Sequence, residues 1–144
     1  YSLGDEKPDA FSARDSQDAA SIDRARVFVA GPVLNPKTPD EARAQVAANV
    51  AMKANIIKIR VDDNLGTTPK MAPDIYRAVI DESHKRGMRT AVHLFYLADA
   101  KAVLDAGADL IAHSVRDLDV DAALIAQMKS RNVCLIPTLM REVS

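Results

Sequence analysis

Three side chains in this sequence combine reactive chemistry with regular placement: Lys58 in IIKIRV, His93 in RTAVHL and His113 in DLIAH. Each stands late in a short apolar run that reads as a strand. Side chains alternate faces along a strand. Ile57, Ile59 and Val61 then form a wholly apolar face that must pack on helices, which turns Ile56, Lys58 and Arg60 the other way. The same count sets Arg89, Ala91 and His93 against Thr90, Val92 and Leu94, and sets Asp109, Ile111 and His113 against Leu110 and Ala112. Each strand is thus expected to bring an ionisable group to one inner face. A buried lysine is costly to keep charged and tends toward its neutral amine. That amine can form a Schiff base with a carbonyl, or a carbamate with carbon dioxide. The carbamate offers two oxygens and can bridge two cations. Neutral imidazoles suit zinc. Together the three side chains would make part of a two-metal site that lowers the pKa of a bridging water toward neutrality.

Other residues near these runs carry weaker signals. Arg60, Tyr96 and Arg116 follow the strands and could bind a substrate carboxylate; they read equally well as surface residues at loop ends. Lys58 could instead pair with Asp62 or Asp63. His84, between Ser83 and Lys85 on a helix, is expected to be solvated. Cys134 sits in an apolar run and reads as a small core residue. Gly66-Thr67-Thr68 is either a lid over the site or an ordinary turn.

The elements that would position these groups follow a regular order. Tyr1–Leu3 reads as the end of a strand, and a polar stretch to Asp23 as loop with a short helix. Arg26–Ala30 (RVFVA), closed by Gly31-Pro32, reads as a buried strand. Thr38 opens a helix with Pro39 at its first position and Glu41 in the capping-box place, and Ala42, Val46 and Val50 form its apolar stripe. Ile56–Val61 is a strand rich in β-branched residues. Pro73 opens the next helix, which Gly87 should end. Arg89–Leu94 is a strand, and a helix carrying Ala100, Val103 and Leu104 runs to Gly107. Asp109–His113 is a strand. Asp119 is expected to cap a helix bearing Val120, Leu124 and Met128, with Asn132 as its stop. Val133–Pro137 is the last strand.

Alternating strands and helices mean βα units and a parallel sheet. Strand starts near residues 26, 56, 89, 109 and 133 give a pitch of roughly 20–33 residues, against ~31 for a (β/α)₈ barrel of about 250 residues. An open doubly wound sheet gives the same order, but neither GxGxxG nor GxxxxGK[ST] is present. The reading is an α/β fold, a partial TIM (β/α)₈ barrel of about strands three to seven, with 1–144 as a single incomplete domain. In such barrels the C-terminal strand ends build the active site.

Composition agrees with a globular domain: 48% hydrophobic, 27% charged, net charge −1 over 144 residues. A chain of this length buries roughly 70% of its unfolded surface. The charge balance lacks the basic excess that nucleic-acid or membrane-surface partners require, and no run approaches the ~20 apolar residues of a membrane span. One cysteine excludes an internal disulfide and leaves the compartment open. Both ends look cut, so part of the chemistry is expected to come from elsewhere.

IIKIRVDD, TAVHLFY, GADLIAHS and VCLIPTL, in this order and spacing, resemble the amidohydrolase superfamily, in its imidazolonepropionase- and prolidase-like branch. The resemblance runs from about Arg26 to the end. It implies that Lys58 is the strand-four lysine, carboxylated and bridging two divalent metals of the zinc class. It makes His93 and His113 the ligands of strands five and six. The His-x-His of strand one and the aspartate of strand eight, which shuttles a proton, are not among this chain's residues. Two details depart from the family: Phe95 stands where many relatives have a second histidine, and the strand-six ligand is flanked as Ala112-His113-Ser114.

Three hypotheses follow. The first is metal-dependent hydrolysis of an amide or other C–N bond, in a peptide-like or cyclic amide, by a metal-activated hydroxide. The second is an aldolase-type barrel in which Lys58 forms a Schiff base. The third is an inactive fragment, or a subunit that completes its barrel with another copy or another chain, since a five-strand piece leaves open edges.

Overall fold

The computed structural model describes residues 1–4, 8–18 and 23–138. Among them, helices α1 (Pro8–Asp15), α2 (Pro39–Ala51), α3 (Pro73–Lys85), α4 (Leu97–Asp105) and α5 (Ala122–Ser130) accompany strands β1 (Ile57–Arg60), β2 (Thr90–His93), β3 (Leu110–Ala112) and β4 (Cys134–Ile136). The sheet order is β1-β2-β3-β4 and every pair is parallel. Each strand therefore returns to its neighbour through one helix, the βα arrangement of a partial TIM-like barrel.

The two faces of the sheet are apolar for different reasons. Ile57, Ile59, Val92, Leu94 and Ile111 pack against Val46, Val79 and Leu104 of the helices in the larger core cluster. Burying one such side chain stabilises the fold by about 1.5–3 kcal/mol. On the other face Ala30, Ile56, Ala91, Leu110 and Ala112 form a second, smaller cluster inside the barrel curve. That cluster is the floor beneath the strand ends.

Helix boundaries follow local chemistry. The Glu41 amide donates to Thr38 Oγ1 at 3.2 Å, and Glu41 Oε2 accepts from the Lys37 amide at 2.7 Å. The box thus closes one residue earlier than expected. Gly87 and Gly107 take positive φ (70° and 101°) just beyond α3 and α4, where a left-handed residue ends a helix. For α5 the cap is Asp121, not Asp119: Asp121 Oδ1 accepts from the Leu124 amide at 2.9 Å. Val120 consequently lies outside the helix and is exposed. Asn132 has φ 54° after α5, the expected stop.

The expected strand Arg26–Ala30 is not a ladder. It carries a single parallel bridge, Val29 to Ser2, and Leu34 makes the bridge to Ile59 of β1. Its polar backbone groups are taken largely by side-chain amides. Gln17 brackets Val27, accepting its N–H (2.5 Å) and donating to its carbonyl (2.7 Å). Asn55 Oδ1 accepts from the Val29 amide at 2.9 Å, while Asn49 Nδ2 donates to Ala30 and Pro32 carbonyls. Buried backbone groups must be paired, and here side chains do much of the pairing.

One further expectation is corrected. Cys134 is exposed rather than core, because β4 is an edge strand paired only to β3 among the described residues. His84 is exposed, as expected, and its Nε2 lies 3.0 Å from Asp109 Oδ2, which also accepts from the Thr90 amide at 2.7 Å. Asp109, just before β3, thus joins the end of α3 to the start of β2.

Candidate functional site

The sheet register decides which side chains meet. Lys58 pairs with Ala91, which pairs in turn with Leu110, while Arg60 pairs with His93, which pairs in turn with Ala112. Partners in a parallel ladder point to the same face, so Lys58, Arg60 and His93 all face the barrel interior, as alternation predicted. For β3 the predicted faces are reversed: Leu110 and Ala112 are interior, and Ile111 lies on the helix side with Val92 and Ile59. Strict alternation would send His113 toward the helices. Instead His113 has φ 78°, and this left-handed turn swings its ring back inward. The His93 and His113 ring centroids are 4.6 Å apart at 71°. A non-glycine residue held there costs free energy, and such strain concentrates at functional sites.

These groups line a cleft of about 740 Å³ at the C-terminal ends of the strands. Lys58, Arg60, Asp62, His93 and His113 form its floor and side. Leu34–Lys37 forms one wall and Thr68–Ala72 the other. Gly66-Thr67-Thr68 belongs to a turn that closes on itself, with the Thr68 amide donating to the Asp63 carbonyl at 2.9 Å.

Lys58 is 3% exposed, and its Nζ has no hydrogen-bond partner among the described residues. Burial, and next the positive charge of Arg60, lower its pKa to about 8, against the opposing pull of Asp62. An amine so placed is substantially neutral at slightly alkaline pH.

Sequence reasoning treated Asp62 only as a partner for Lys58. The buried Asp62 carboxylate instead reaches His93, with Oδ2 3.0 Å from Nε2. Its Oδ1 is 3.4 Å from Arg60 Nε but has no hydrogen-bonded partner among the described residues. The signal was present: 56, 58, 60 and 62 share one parity, so extending the alternation two residues past the strand finds Asp62.

The other candidates separate. Arg60 is at the cleft, half-exposed, with Nη2 3.4 Å from His93 Nε2. Tyr96 and Arg116 do not line it. The Tyr96 hydroxyl donates to Asp63 Oδ1 at 2.8 Å, and Lys70 Nζ stands 3.8 Å over the Tyr96 ring while pairing with Asp99 at 2.8 Å. The Arg116 guanidinium stacks on Phe95, 4.9 Å from its centroid.

The donor set suits a divalent cation. A buried amine and a buried carboxylate oxygen, both lacking hydrogen-bond partners, open on one cleft with two imidazoles. Among the described residues no three of His, Cys, Asp and Glu converge as a cage.

No family model matches the chain. It is 26% identical over 121 residues to an uncharacterized protein of Mycobacterium tuberculosis, a match covering 81% of this chain and 32% of that protein. The chain thus spans about a third of the length of the curated relatives it matches. Among solved structures it is similar to a Xaa-Pro dipeptidase with methionine bound in its active site (TM-score 0.76, 23% identity, 96% of this chain and 41% of that one). It is also similar to a Bifidobacterium longum protein assigned as a prolidase (TM-score 0.75, 28% identity, 95% of this chain and 38% of that one). In motif order, strand topology and these likenesses, the chain resembles the middle part of a barrel of the amidohydrolase superfamily, on its prolidase-like side.

Proposed function

We propose that this chain supplies the central part of the active site of a metal-dependent hydrolase that cleaves an amide or other C–N bond in a dipeptide-like or cyclic amide. The observation that carries the reading is Lys58: buried, shifted toward its neutral amine, and sharing one cleft with His93 and His113. Lys58, carboxylated by carbon dioxide, and the two imidazoles would hold two divalent ions of the zinc class. Metal bound there would acidify water and polarise the scissile carbonyl.

The chain's own residues prepare the site. The apolar floor of Ala91, Leu110 and Ala112 excludes water beneath Lys58. Arg60 at the cleft can take a substrate carboxylate. Tyr96 and Arg116, proposed for the same task from sequence, would act by bracing the loops that carry Asp63 and Phe95. The strand-one histidines and strand-eight aspartate that the resemblance implies would come from outside this chain, whether a further segment, another copy or a second chain.

The test is metal content by elemental analysis of the chain, purified without chelator and supplied with zinc and bicarbonate, beside Lys58→Ala. One to two zinc ions lost in the variant, with a carbamate carbon visible by ¹³C NMR after labelled bicarbonate, are the expected results. No bound metal in the parent chain removes the reading. The depressed Lys58 pKa also suits Schiff-base chemistry. Borohydride trapping of a carbonyl compound on Lys58 would favour that second reading.

A further inference from the structure

We propose that Lys37 makes the cleft selective for a substrate with two carboxylates: Arg60 takes one, Lys37 takes the other, and the amine released on hydrolysis is an acidic amino acid such as glutamate or aspartate. The inference rests on the hydrolase reading above and names the substrate class of that same site.

The segment that carries Lys37 runs beside β1. Leu34 bridges Ile59 in parallel, and the Leu34 amide donates to the Lys58 carbonyl at 2.9 Å. The next residue, Asn35, therefore comes level with Arg60, about 4.8 Å across at the backbone. Burial alternates along the segment: Leu34 and Pro36 are buried, whereas Val33, Asn35 and Lys37 are exposed. Asn35 and Lys37 thus share one face, and both line the cleft with Arg60. Lys37 stands further toward the mouth, but its Nζ donates to Asn35 Oδ1 at 3.0 Å. That bond draws the ammonium back toward Arg60. From α2, Gln45 Oε1 accepts from the Asn35 amide (3.0 Å) and Glu41 Oε2 from the Lys37 amide (2.7 Å). The backbone of this wall is therefore set before any ligand arrives.

The charges around the cleft favour an anion. The Lys37 ammonium donates to a neutral acceptor and keeps its charge. Arg60 is half-exposed, with Nε toward Asp62 and Nη2 toward His93, contacts that use only part of a five-donor guanidinium. Lys70, on the opposite wall, is committed to Asp99 and to the face of Tyr96. Among the described residues lining the cleft the one acid is Asp62, and it is buried. A cleft lined by one sign of charge draws ligands of the other. Cations on neighbouring extended segments suit carboxylates joined by a short carbon chain, as in glutamate or aspartate. A neutral side chain set against Lys37 would displace its water and give no charge in return, which is how such a wall rejects the wrong ligand.

The experiment titrates the whole chain, without metal, with N-acetylglutamate and with N-acetylglutamine, which differ by a charge and hardly in shape. Calorimetry or NMR shifts give the two dissociation constants. The parent is expected to bind N-acetylglutamate about tenfold more tightly, the worth of one hydrogen bond to a charged group. The preference should shrink as salt is raised. Lys37→Gln should bring the two ligands to equal affinity, and Lys37→Arg should restore the preference. Lys37 is exposed, so both variants keep the core intact. Equal affinities in the parent overturn the proposal, as does binding of neither ligand. A preference that survives Lys37→Gln overturns it too. The metal reading fails separately: a chain that prefers N-acetylglutamate yet takes up no zinc defeats that reading and leaves the selectivity of the cleft standing.

Discussion

The rings of His93 and His113 meet edge to face, 4.6 Å between centroids, yet the two residues arrive by different backbone routes. His93 is the last residue of β2 and points inward by ordinary alternation. His113 follows β3 at a position whose parity belongs to the helix side, and reaches the cleft through φ 78°. Its backbone is fixed there by donation to the Ile136 carbonyl (2.7 Å), and its Nδ1 pairs with Thr138 Oγ1 (2.8 Å).

That route makes position 113 sensitive to backbone type. His113→Asn should cost little, since Asn tolerates the left-handed region. His113→Val should cost about 1–3 kcal/mol, because a β-branched residue is strongly disfavoured there. Urea unfolding of the two variants provides the comparison. Equal stabilities would mean that the turn does not persist in solution.

Lys58 should weaken the fold in the absence of carbon dioxide and metal. Its pKa falls from 10.5 to about 8 on folding. Between those values the unfolded chain holds a proton that the folded chain has released, so stability rises with pH across the window. Below about pH 8 the whole cost is present, on the order of 3 kcal/mol. Lys58→Met is therefore expected to be more stable than the parent at pH 7, with the advantage shrinking as pH approaches 10.5. Denaturant titrations in carbon-dioxide-free buffer at several pH values measure this. An advantage that does not change with pH would show that the amine is not the source.

Asp121 and Asp119 should respond differently to removal. Asp121 accepts from the Leu124 amide and lies 2.5 Å from Lys101 Nζ; the lysine first, then the amide, keeps its carboxyl below the ordinary range. Asp121→Ala should lower the unfolding midpoint, since it removes the N-cap of α5. Asp119→Ala should leave the unfolding midpoint in place. Stability held by Asp121 is present above the ordinary aspartate pKa and fades as pH falls through its lower folded value.

Tyr96→Phe should raise the titration midpoint of Asp63. The Tyr96 hydroxyl is the largest influence holding Asp63 below the ordinary carboxylate range, and Asp63 in turn raises the tyrosine. Carboxyl ¹³C shifts followed through acid pH report the change. The stability gap between parent and variant should close on acidification, as Asp63 takes its proton.

Where the sequence was legible, one residue-local signal had no competitor. Thr38-Pro39 and Gly87 bounded their helices as written, and the β-branched run at 56–61 could only be a strand. Lys58 and His93 were found because alternation held along β1 and β2. The failures share a cause: the deciding partner was distant in sequence. RVFVA has the same apolar pattern whether a strand or the side chains of Gln17 and Asn55 take its backbone groups. Asp119 and Asp121 both make plausible caps until the chain direction chooses one. Alternation along DLIAH misassigned β3 because a positive φ at a histidine leaves no trace in the sequence. Asp62 was passed over because the search stopped where the apolar run stopped.

The amide-bracketed segment at residues 26–30 also bears on assembly. An ordinary edge strand offers a row of alternating N–H and C=O groups on which a foreign strand can grow. Here Gln17 occupies both groups of Val27, Ser2 and the Asn55 side chain and backbone occupy those around Val29, and Asn49 holds Ala30 and Pro32. The segment therefore makes a poor template for strand-swapped or fibrillar growth. Replacing Gln17 and Asn55 would be the shortest way to turn it into one.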